Sequence, residues 1–355
     1  MSRLTGTIDG VIGVDPHRDS LAAAVTDPVG GVLAQTSVSA DAAGYRCLLA
    51  FARAQVPGRR CWAVEGAGSY GAGLADFLHA HGERVVEVGR PKRSARRTGA
   101  KSDALDAVRA ARQALIEDHP LNPCRRGDRE ALRVLLATRH GACVAKVSAT
   151  NQLKALIVGA PEELRAELRG LGTNRQVARC SRLRERPSRS LEHRMMVRAL
   201  RSTAQRIQRL AVEAAGLRAE LERLVAAVAP WLLELPGVGP ITAAQVLVSW
   251  SHAGRVRSEA AFAALAGANP IPASSGQVTR HRLNRSGDRQ LNRALHTVVV
   301  ARLRDDPATR AYAARRRTEG KSTREIQRCL KRAVARQFFT LLEHNDQPVV
   351  EVLRA

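Results

Sequence analysis

The sequence predicts an α/β domain in the first part of the chain and mainly helical structure from about residue 128 onwards. Residues 10 to 38 hold three apolar runs separated by the polar segments PHRD and PVGG, which is typical of three strands joined by turns. Helical and strand-like segments then alternate: a helix over 41–55, a strand at RCWAVEGAG, a helix at SYGAGLADFLHAHG, a strand at ERVVEVG and a helix at SDALDAVRAARQALIED. This order is that of a ribonuclease-H-like (RuvC-like) domain.

The remainder of the chain is predicted to be helical in most places. REALRVLLATRHGACVAKVSATNQLKALIVG is long and amphipathic, which indicates a helix over 129–159. Residues 172–190 are polar and rich in arginine, so we expect a loop there. The chain closes with arginine-rich segments over roughly 285–304 and 322–344, which we interpret as helices.

One apolar pattern is regular enough to predict a coiled coil. Steps of three and four residues alternate along Ile207, Leu210, Ala214, Leu217, Leu221, Leu224 and Val228. Such a seam packs either on its own domain or on a second copy of the chain, and the charged flanks and the abrupt stop at Pro230 favour a homo-oligomer, a dimer or tetramer. The predicted organisation is an α/β domain over 1–150, a helical coiled-coil linker over 151–229 and a mainly α domain over 230–355.

The charge balance of the chain indicates a polyanionic partner. Its 355 residues include 57 Lys and Arg against 33 Asp and Glu, for a formal net charge of +24, and nucleic acid is the commonest partner that neutralises such a surface. We find no apolar run of the roughly 18 residues that a membrane-spanning helix needs. Six scattered cysteines without a CxxC pair, and no signal-peptide pattern, lead us to expect a cytoplasmic, nucleoid-associated protein without zinc ribbons or disulfides.

Four carboxylates stand where the predicted strands end and a helix begins. Asp15 ends the first strand, Glu65 ends the fourth, and Asp103 and Asp106 share one face at the start of a helix. In a ribonuclease-H-like fold these strand ends are neighbours and the late helix crosses them, so the four side chains can converge. Clustered carboxylates require cations, and Mg²⁺ is the usual one in phosphoryl transfer. Each residue alone also fits a simpler role, as a turn residue, a solvated strand end or a helix cap.

A basic run directly precedes the two aspartates of this helix. It contains Arg90, Lys92, Arg93, Arg96, Arg97 and Lys101. We interpret Arg93, Arg96, Arg97 and Lys101 as contacts to a nucleic-acid backbone, which would bring a phosphate to the carboxylates.

LPGVGPITAAQVL, residues 235 to 247, has the form of a helix-hairpin-helix motif. Gly237 and Gly239 let the hairpin backbone approach a phosphate, and Thr242 lies where N–H groups at the start of the second helix bind an anion. The alternative is a structural tight turn.

A serine pair, Ser274 and Ser275, lies in a loop bounded by Pro and Gly and followed by Arg280, Arg282 and Arg285. A serine hydroxyl becomes a nucleophile only when a base, a metal or a local field activates it, and the arginines could hold the phosphate that it attacks. On the residues alone, an ordinary polar loop is the favoured explanation of the pair.

Taken together, these motifs resemble the IS110 family of transposases, the DEDD-type recombinases of insertion sequences. GVDPHRDS, WAVEGAG and KSDALDA match the family's N-terminal domain, and LPGVGPITA, PASSG and NRSGDRQLNRAL match its C-terminal domain, so the resemblance covers nearly the whole chain. The family often has a lysine where Arg18 stands, and the stretch over 172–190 carries no family motif.

The resemblance implies a function and a set of site residues. Asp15, Glu65, Asp103 and Asp106 would form the DEDD set that binds Mg²⁺. A serine of the SSG loop, Ser275 or alternatively Ser274, would attack DNA and form a covalent intermediate. The family also implies a structured RNA, encoded by the element, that pairs with donor and target DNA.

Two other functions account for part of the sequence. A Mg²⁺-dependent, structure-selective endonuclease of the Holliday-junction type would use water instead of serine, and explains the carboxylates, the hairpin and the charge. A non-catalytic architectural or RNA-binding protein explains the charge alone.

Overall fold

The protein forms two compact units, which we describe separately. The computed structural model describes Leu4 and residues 6–89, 102–124, 126–273 and 281–344. The first unit is Met1–Arg126 and the second is Gly127–Ala355. The boundary predicted at residue 150 falls inside a long helix of the second unit.

The first unit contains a five-stranded mixed sheet. Its strands are β1 (Gly10–Pro16), β2 (Ser20–Thr26), β3 (Val32–Ser39), β4 (Arg60–Glu65) and β5 (Arg84–Val88). They lie in the order β3-β2-β1-β4-β5, with β1, β2 and β3 antiparallel and β4 and β5 added parallel to β1. The predicted meander followed by alternating helices and strands is confirmed, and this mixed sheet is compatible with a ribonuclease-H-like DEDD fold.

Helices cover both faces of this sheet. They are α1 (Ala42–Gln55), α2 (Ala72–Ala80) and α3 (Asp103–Ile116). Leu48 of α1 and Leu74 of α2 pack with Ile12 on one face, whereas Ala110 of α3 packs with Val11 on the other. Because side chains alternate along a strand, the odd-numbered residues 11–15 of β1 and 61–65 of β4 face the side that α3 covers.

A buried carboxylate, that of Glu83, lies at the end of the sheet where β4 and β5 begin. The Glu83 side chain, 5% exposed, accepts hydrogen bonds from Arg60 Nε at 2.8 Å and from Trp62 Nε1 at 3.0 Å. Burial raises the pKa of Glu83, but the hydrogen bonds from Arg60 and Trp62 outweigh it and leave the pKa below its ordinary value. Glu83 therefore remains ionised and ties the segment before β5 to β4.

The second unit begins with two long helices that pack along each other. Its first helices are α4 (Asp128–Val158), α5 (Glu162–Leu168), α6 (Thr173–Cys180) and α7 (Leu191–Val228). Leu132 near the start of α4 clusters with Leu221 near the end of α7, and Leu153 near the end of α4 clusters with Leu200 near the start of α7. The two helices are therefore antiparallel.

The predicted coiled-coil seam lies on α7 and is covered by the same chain. Ile207, Ala214 and Leu221 are buried, and the other four positions of the seam are partly buried. Their partners on α4 include Leu132 and Leu153. The prediction that this seam joins two copies is therefore wrong for these positions, and the alternative, packing within its own domain, holds. The reason is that α4 presents a complementary apolar face.

Shorter helices and one small ladder complete the second unit. They are α8 (Pro230–Leu233), α9 (Pro240–Trp250), α10 (Glu259–Leu265), β6 (Ile271–Pro272), β7 (His281–Arg282), α11 (Arg289–Asp305), α12 (Pro307–Thr318) and α13 (Thr323–His344). Phe262 of α10, Leu295 of α11 and Phe338 of α13 are fully buried in one core. The predicted helices near the carboxyl end are confirmed by α11 and α13.

The loop predicted over 172–190 is wrong for Thr173–Cys180, which form α6. Val177 and Cys180 are buried against Val197 and Leu200 of α7, so tertiary packing outweighs the polar composition of this stretch. Among the helices that the structure describes, none has the length and apolar character to cross a bilayer.

Candidate metal centre and nucleic-acid contacts

The two strand-end carboxylates are brought together by the pairing of β1 with β4. Val14 is opposite Val64 in the parallel ladder, so Asp15 and Glu65 follow at the same edge of the sheet. Asp15 still pairs with Ala22 of β2, so it is a strand residue and not the turn residue that the simpler interpretation required. Both acids occupy odd-numbered positions and face the side of the sheet that α3 covers.

Close packing of α3 on β1 places the second pair of carboxylates over the first. A Cβ built on Gly13 would lie 2.0 Å from Ala107 O and 2.5 Å from Ala111 N, so only glycine permits this approach. The contacting face of α3 is correspondingly made of small residues, among them Ala107 and Ala111, which are fully buried. Asp103 then lies in the first turn of α3, near the end of β1.

The N-cap of α3 is Ser102, whose hydroxyl accepts a hydrogen bond from Leu105 N at 3.3 Å. Neither Asp103 nor Asp106 is therefore the capping residue, although both lie in the first turn, where a negative charge is favourable. Asp106 accepts a hydrogen bond from Arg109 Nη1 at 2.6 Å, while the Asp103 side chain is 58% exposed and remains accessible.

A histidine that the sequence analysis assigned to a turn bridges two of these carboxylates. His17 Nε2 lies 3.4 Å from Asp15 Oδ2 and 3.3 Å from Asp103 Oδ1. Potential ligand atoms of these three residues all lie within 4.8 Å of one another. In the sequence, His17 follows Asp15 by two residues and stands directly after the end of β1 at Pro16, and this close spacing was the available signal.

Burial and the neighbouring charges both act on the Asp15 carboxyl group. Burial is the largest influence and raises the pKa of Asp15 above its ordinary value of 3.8, while His17 lowers it. The charges of Glu65, Asp106 and Asp103 each raise the pKa further. The other three predicted acids thus act on Asp15 through their charge, but only Asp103 joins Asp15 and His17 in the group whose ligand atoms lie within 4.8 Å of one another.

This set of donors fits a divalent cation. Carboxylate oxygens are the ligands that Mg²⁺ and Mn²⁺ take in phosphoryl-transfer sites, and the repulsion that raises the pKa of Asp15 is what a cation at the cluster would relieve. The imidazole of His17 adds a nitrogen donor at the same point.

Several predicted site residues lie outside the described part of the chain. They are Arg93, Arg96, Arg97, Lys101, Ser274, Ser275 and Arg280. In the sequence, Ser274 and Ser275 follow β6 and precede β7, which pair through Ile271 with Arg282 and Pro272 with His281. Arg282 and Arg285 are described, and both are exposed.

The predicted hairpin lies between α8 and α9. Gly237 adopts φ +75°, and a Cβ there would lie 3.0 Å from Val298 O of α11. Gly239 caps α9, whose first residue is Pro240, so the next two N–H groups, those of Ile241 and Thr242, lie in the open first turn. Thr242 is buried as a whole residue, 8% exposed, so its side chain is not available to a phosphate.

Comparison with known proteins assigns the class of the protein. A DEDD transposase model of the IS110 type matches residues 12–160, and a model described as the transposase IS116/IS110/IS902 family matches residues 229–314. The first match spans β1, β4 and α3, which carry the acidic cluster, and the second spans the hairpin and the strands on either side of the serine pair. These matches define a DNA transposase.

Two curated relatives agree with this class. The 42 kDa protein of insertion element IS900 from Mycobacterium paratuberculosis is 27% identical over 93% of this chain and 94% of its own length. The 43.6 kDa protein of insertion element IS110 from Streptomyces coelicolor is 34% identical over 36% of this chain and 32% of its own length. The chain belongs to the IS110 family of transposases. This family implies DNA as the substrate and the use of a divalent metal.

Proposed function

We propose that this transposase cuts and rejoins DNA through a phosphoserine intermediate, with Mg²⁺ held by Asp15, Glu65, Asp103 and Asp106. The observation that carries the proposal is the approach of Asp15 and Asp103 to each other around His17, with potential ligand atoms within 4.8 Å. When bound, the ion would neutralise charge on the scissile phosphate and position it. His17, in contact with Asp15 and Asp103, would add a fifth ligand or hold the two carboxylates in place.

The covalent chemistry is assigned to Ser275. Its Oγ attacks phosphorus, the P–O bond to a deoxyribose oxygen breaks, and that oxygen leaves with the proton that the serine gives up. Rejoining is the reverse step with a different strand, in which a deoxyribose hydroxyl attacks the phosphoserine. Because the phosphoester bond is conserved throughout, strand exchange needs no external energy source.

Phosphate contacts are assigned to the basic residues and the hairpin. Arg93, Arg96, Arg97 and Lys101 would guide the backbone towards the carboxylates, and Arg280, Arg282 and Arg285 towards the serine. Gly237, Gly239 and the N–H of Thr242 would form the helix-hairpin-helix contact with a further phosphate.

Sequence recognition is assigned to a structured guide RNA. All the contacts above are made to phosphates, which carry no sequence information, so base pairing by an RNA would supply the specificity. Sequencing the nucleic acid that co-purifies with the protein tests this part directly. One structured RNA species supports it, and a random mixture of cellular RNA and DNA contradicts it.

Trapping of a protein–DNA adduct tests the phosphoserine. The protein is incubated with its co-purified RNA and DNA carrying the ends of its insertion element, then denatured. We expect a covalent adduct that disappears in Ser275→Ala and persists in the matched control Ser274→Ala. Cleavage without any adduct would indicate the water-dependent endonuclease. Unchanged nucleic-acid activities in Asp103→Ala, with no cleavage by the wild type, would indicate a non-catalytic binding protein.

A homo-oligomer, a dimer or tetramer, is part of the proposal because the carboxylates and Ser275 belong to different units of the chain. A mixture of Asp103→Asn and Ser275→Ala chains tests whether two copies share a site. Recovered cleavage shows that one copy supplies the carboxylates and another the serine, whereas an inactive mixture shows that each copy is self-sufficient.

A further inference from the structure

The second unit contains a cavity of about 720 Å³, and of the residues that line it only Arg282 has a role in the proposed function. One wall is the first half of α13, and the other is formed by residues next to the β6–β7 ladder, including Pro270 and His281. The volume lies within the range of roughly 300–1,000 Å³ that is typical of ligand sites. The segment with the serine pair leaves and re-enters the described chain beside this cavity, between β6 and β7.

Positive charge dominates the lining. Five cationic side chains and one carboxylate line the cavity: Arg282, Lys321, Arg328, Lys331, Arg332 and Glu325. The Glu325 carboxylate is engaged at the start of α13, where it accepts hydrogen bonds from Ser322 N at 2.9 Å and Ser322 Oγ at 2.6 Å. Arg332 pairs with Glu259, outside the lining. Within the described chain, neither Arg282 nor Arg328 forms an ion pair with a carboxylate.

Lys331 shows how crowded these cations are. Its Nζ donates a hydrogen bond to Asn292 Oδ1 at 3.1 Å. Burial lowers the pKa of Lys331, and the charge of Arg328 lowers it further. An anion in the cavity would relieve this repulsion and would favour the charged form of the lysine.

The chemistry of the lining selects phosphate over a nucleobase. Among the described residues that line the cavity, the one aromatic ring is the imidazole of His281, and no Phe, Tyr or Trp offers a larger surface on which bases could stack. Guanidinium and ammonium groups around one space are instead the groups that bind phosphodiesters.

We propose that this cavity holds the phosphodiester backbone of the DNA strand next to the bond that the serine attacks. The first half of α13 would thus be a binding element for the cleaved strand. The inference rests on the proposed function, since it takes the serine pair to be the point of cleavage. The site itself is defined by the cavity and its cations.

Cys329 provides a direct probe, because it lines the cavity and is partly exposed. The full-length protein is alkylated with iodoacetamide, with and without a DNA duplex carrying the element's end, and modification is quantified at each cysteine by mass spectrometry. Cys143, a partly exposed residue of α4, is the internal control. At a duplex concentration about ten times Kd, we expect the alkylation rate of Cys329 to fall about tenfold, and that of Cys143 to change little.

Substitutions then test the charges. Arg328→Gln and Lys331→Gln are each expected to lower duplex affinity roughly tenfold at 0.1 M salt. Each should also reduce by about one the salt slope, which is the slope of the logarithm of the binding constant against the logarithm of the salt concentration. The matched control is Arg317→Gln, an exposed position on α12 that does not line the cavity, and its slope should not change.

The outcomes separate this inference from the proposed function. Unprotected Cys329 together with unchanged slopes would overturn the cavity as a DNA site, even if the Ser275 adduct still forms. Protection and reduced slopes without any adduct would support the cavity and contradict the phosphoserine. Protection by inorganic phosphate at the same concentration as the duplex would show a site for free anions and overturn the assignment to a DNA strand.

Discussion

The glycine at the contact between β1 and α3 gives a sharp test of how the acidic cluster is positioned. In Gly13→Ala, the new methyl group would lie 2.0 Å from Ala107 O, where ordinary contacts begin at 3.4 Å, so α3 must move by about 1.4 Å. The obstructing atoms belong to the backbone of a helix and cannot rotate away. We expect a loss of about 2 kcal/mol in the free energy of unfolding, the cost typical of overpacking.

The displacement should affect catalysis more than stability. Asp103 and Asp106 move with α3, whereas Asp15 and Glu65 stay on the sheet, so the cluster widens. A misplacement of about 1 Å commonly lowers the rate about 100-fold. We expect a loss of that size in DNA cleavage, together with weaker binding of Mn²⁺ measured by calorimetry on the DNA-free protein.

Gly141→Ala is the matched control, because a Cβ at that position of α4 meets nothing within 4 Å. It should stabilise the protein by about 0.5–1 kcal/mol, the usual gain for alanine in a helix interior, and leave cleavage unchanged. The reasoning would be refuted if Gly13→Ala kept wild-type stability, metal affinity and cleavage.

Four further predictions concern charge and packing. Burial raises the pKa of Asp15, so the ionised carboxylate destabilises the folded protein above that pKa. In EDTA, Asp15→Asn should therefore raise Tm at neutral pH. This gain in Tm should be lost as the pH falls through the raised pKa of Asp15. Asp41 is the N-cap of α1, and the hydrogen bond from the backbone N–H of Gly44 lowers its pKa, so its ionised form stabilises the fold. Asp41→Asn should therefore lower Tm at neutral pH, and this difference should disappear as the pH falls through the lowered pKa. Glu83→Gln should lower the free energy of unfolding by about 3 kcal/mol in urea titrations, and an unaltered midpoint would contradict its anchoring role. Leu221→Ala should cost about 3 kcal/mol without changing the mass in solution, while the exposed Val212→Ala should be neutral; a change in mass would return the seam to an interface between copies.

The sequence allowed the elements of the first unit to be predicted because each has a clear local signal. Apolar runs separated by Pro and Gly defined the strands, and the acids at their ends could be placed next to each other from the order of elements alone. His17 was missed because it lies in the turn between β1 and β2, and the approach of its imidazole to Asp15 and Asp103 arises only in the folded chain. Gly13 is required because the backbone of α3 lies directly against β1 at this residue. The pattern of apolar residues along the sequence does not reveal such a contact.

In the second unit, the sequence revealed helices more readily than their partners. A seam of alternating threes and fours has the same appearance whether it packs on α4 or on another chain, since both supply an apolar face. The short α6 was missed because its buried Val177 and Cys180 are few among polar residues. The basic cavity could not be predicted from the sequence, because Arg282 and the cations between Lys321 and Arg332 belong to segments about 40 residues apart. Only folding brings these two segments together.

The two long helices α4 and α7 carry two separate hydrophobic cores of the second unit, one at each end of the pair. At 1.5 Å per residue these helices are about 47 and 57 Å long. Between the cluster at one end and the cluster at the other, the buried side chains of the two helices are small, Ala142 and Ala214, and Leu210 and Leu217 are only partly buried. The tip formed with α5 and α6 can therefore melt, or accept inserted residues, while the end that joins α9 and α11 keeps its structure. Heating this unit should give two calorimetric transitions instead of one.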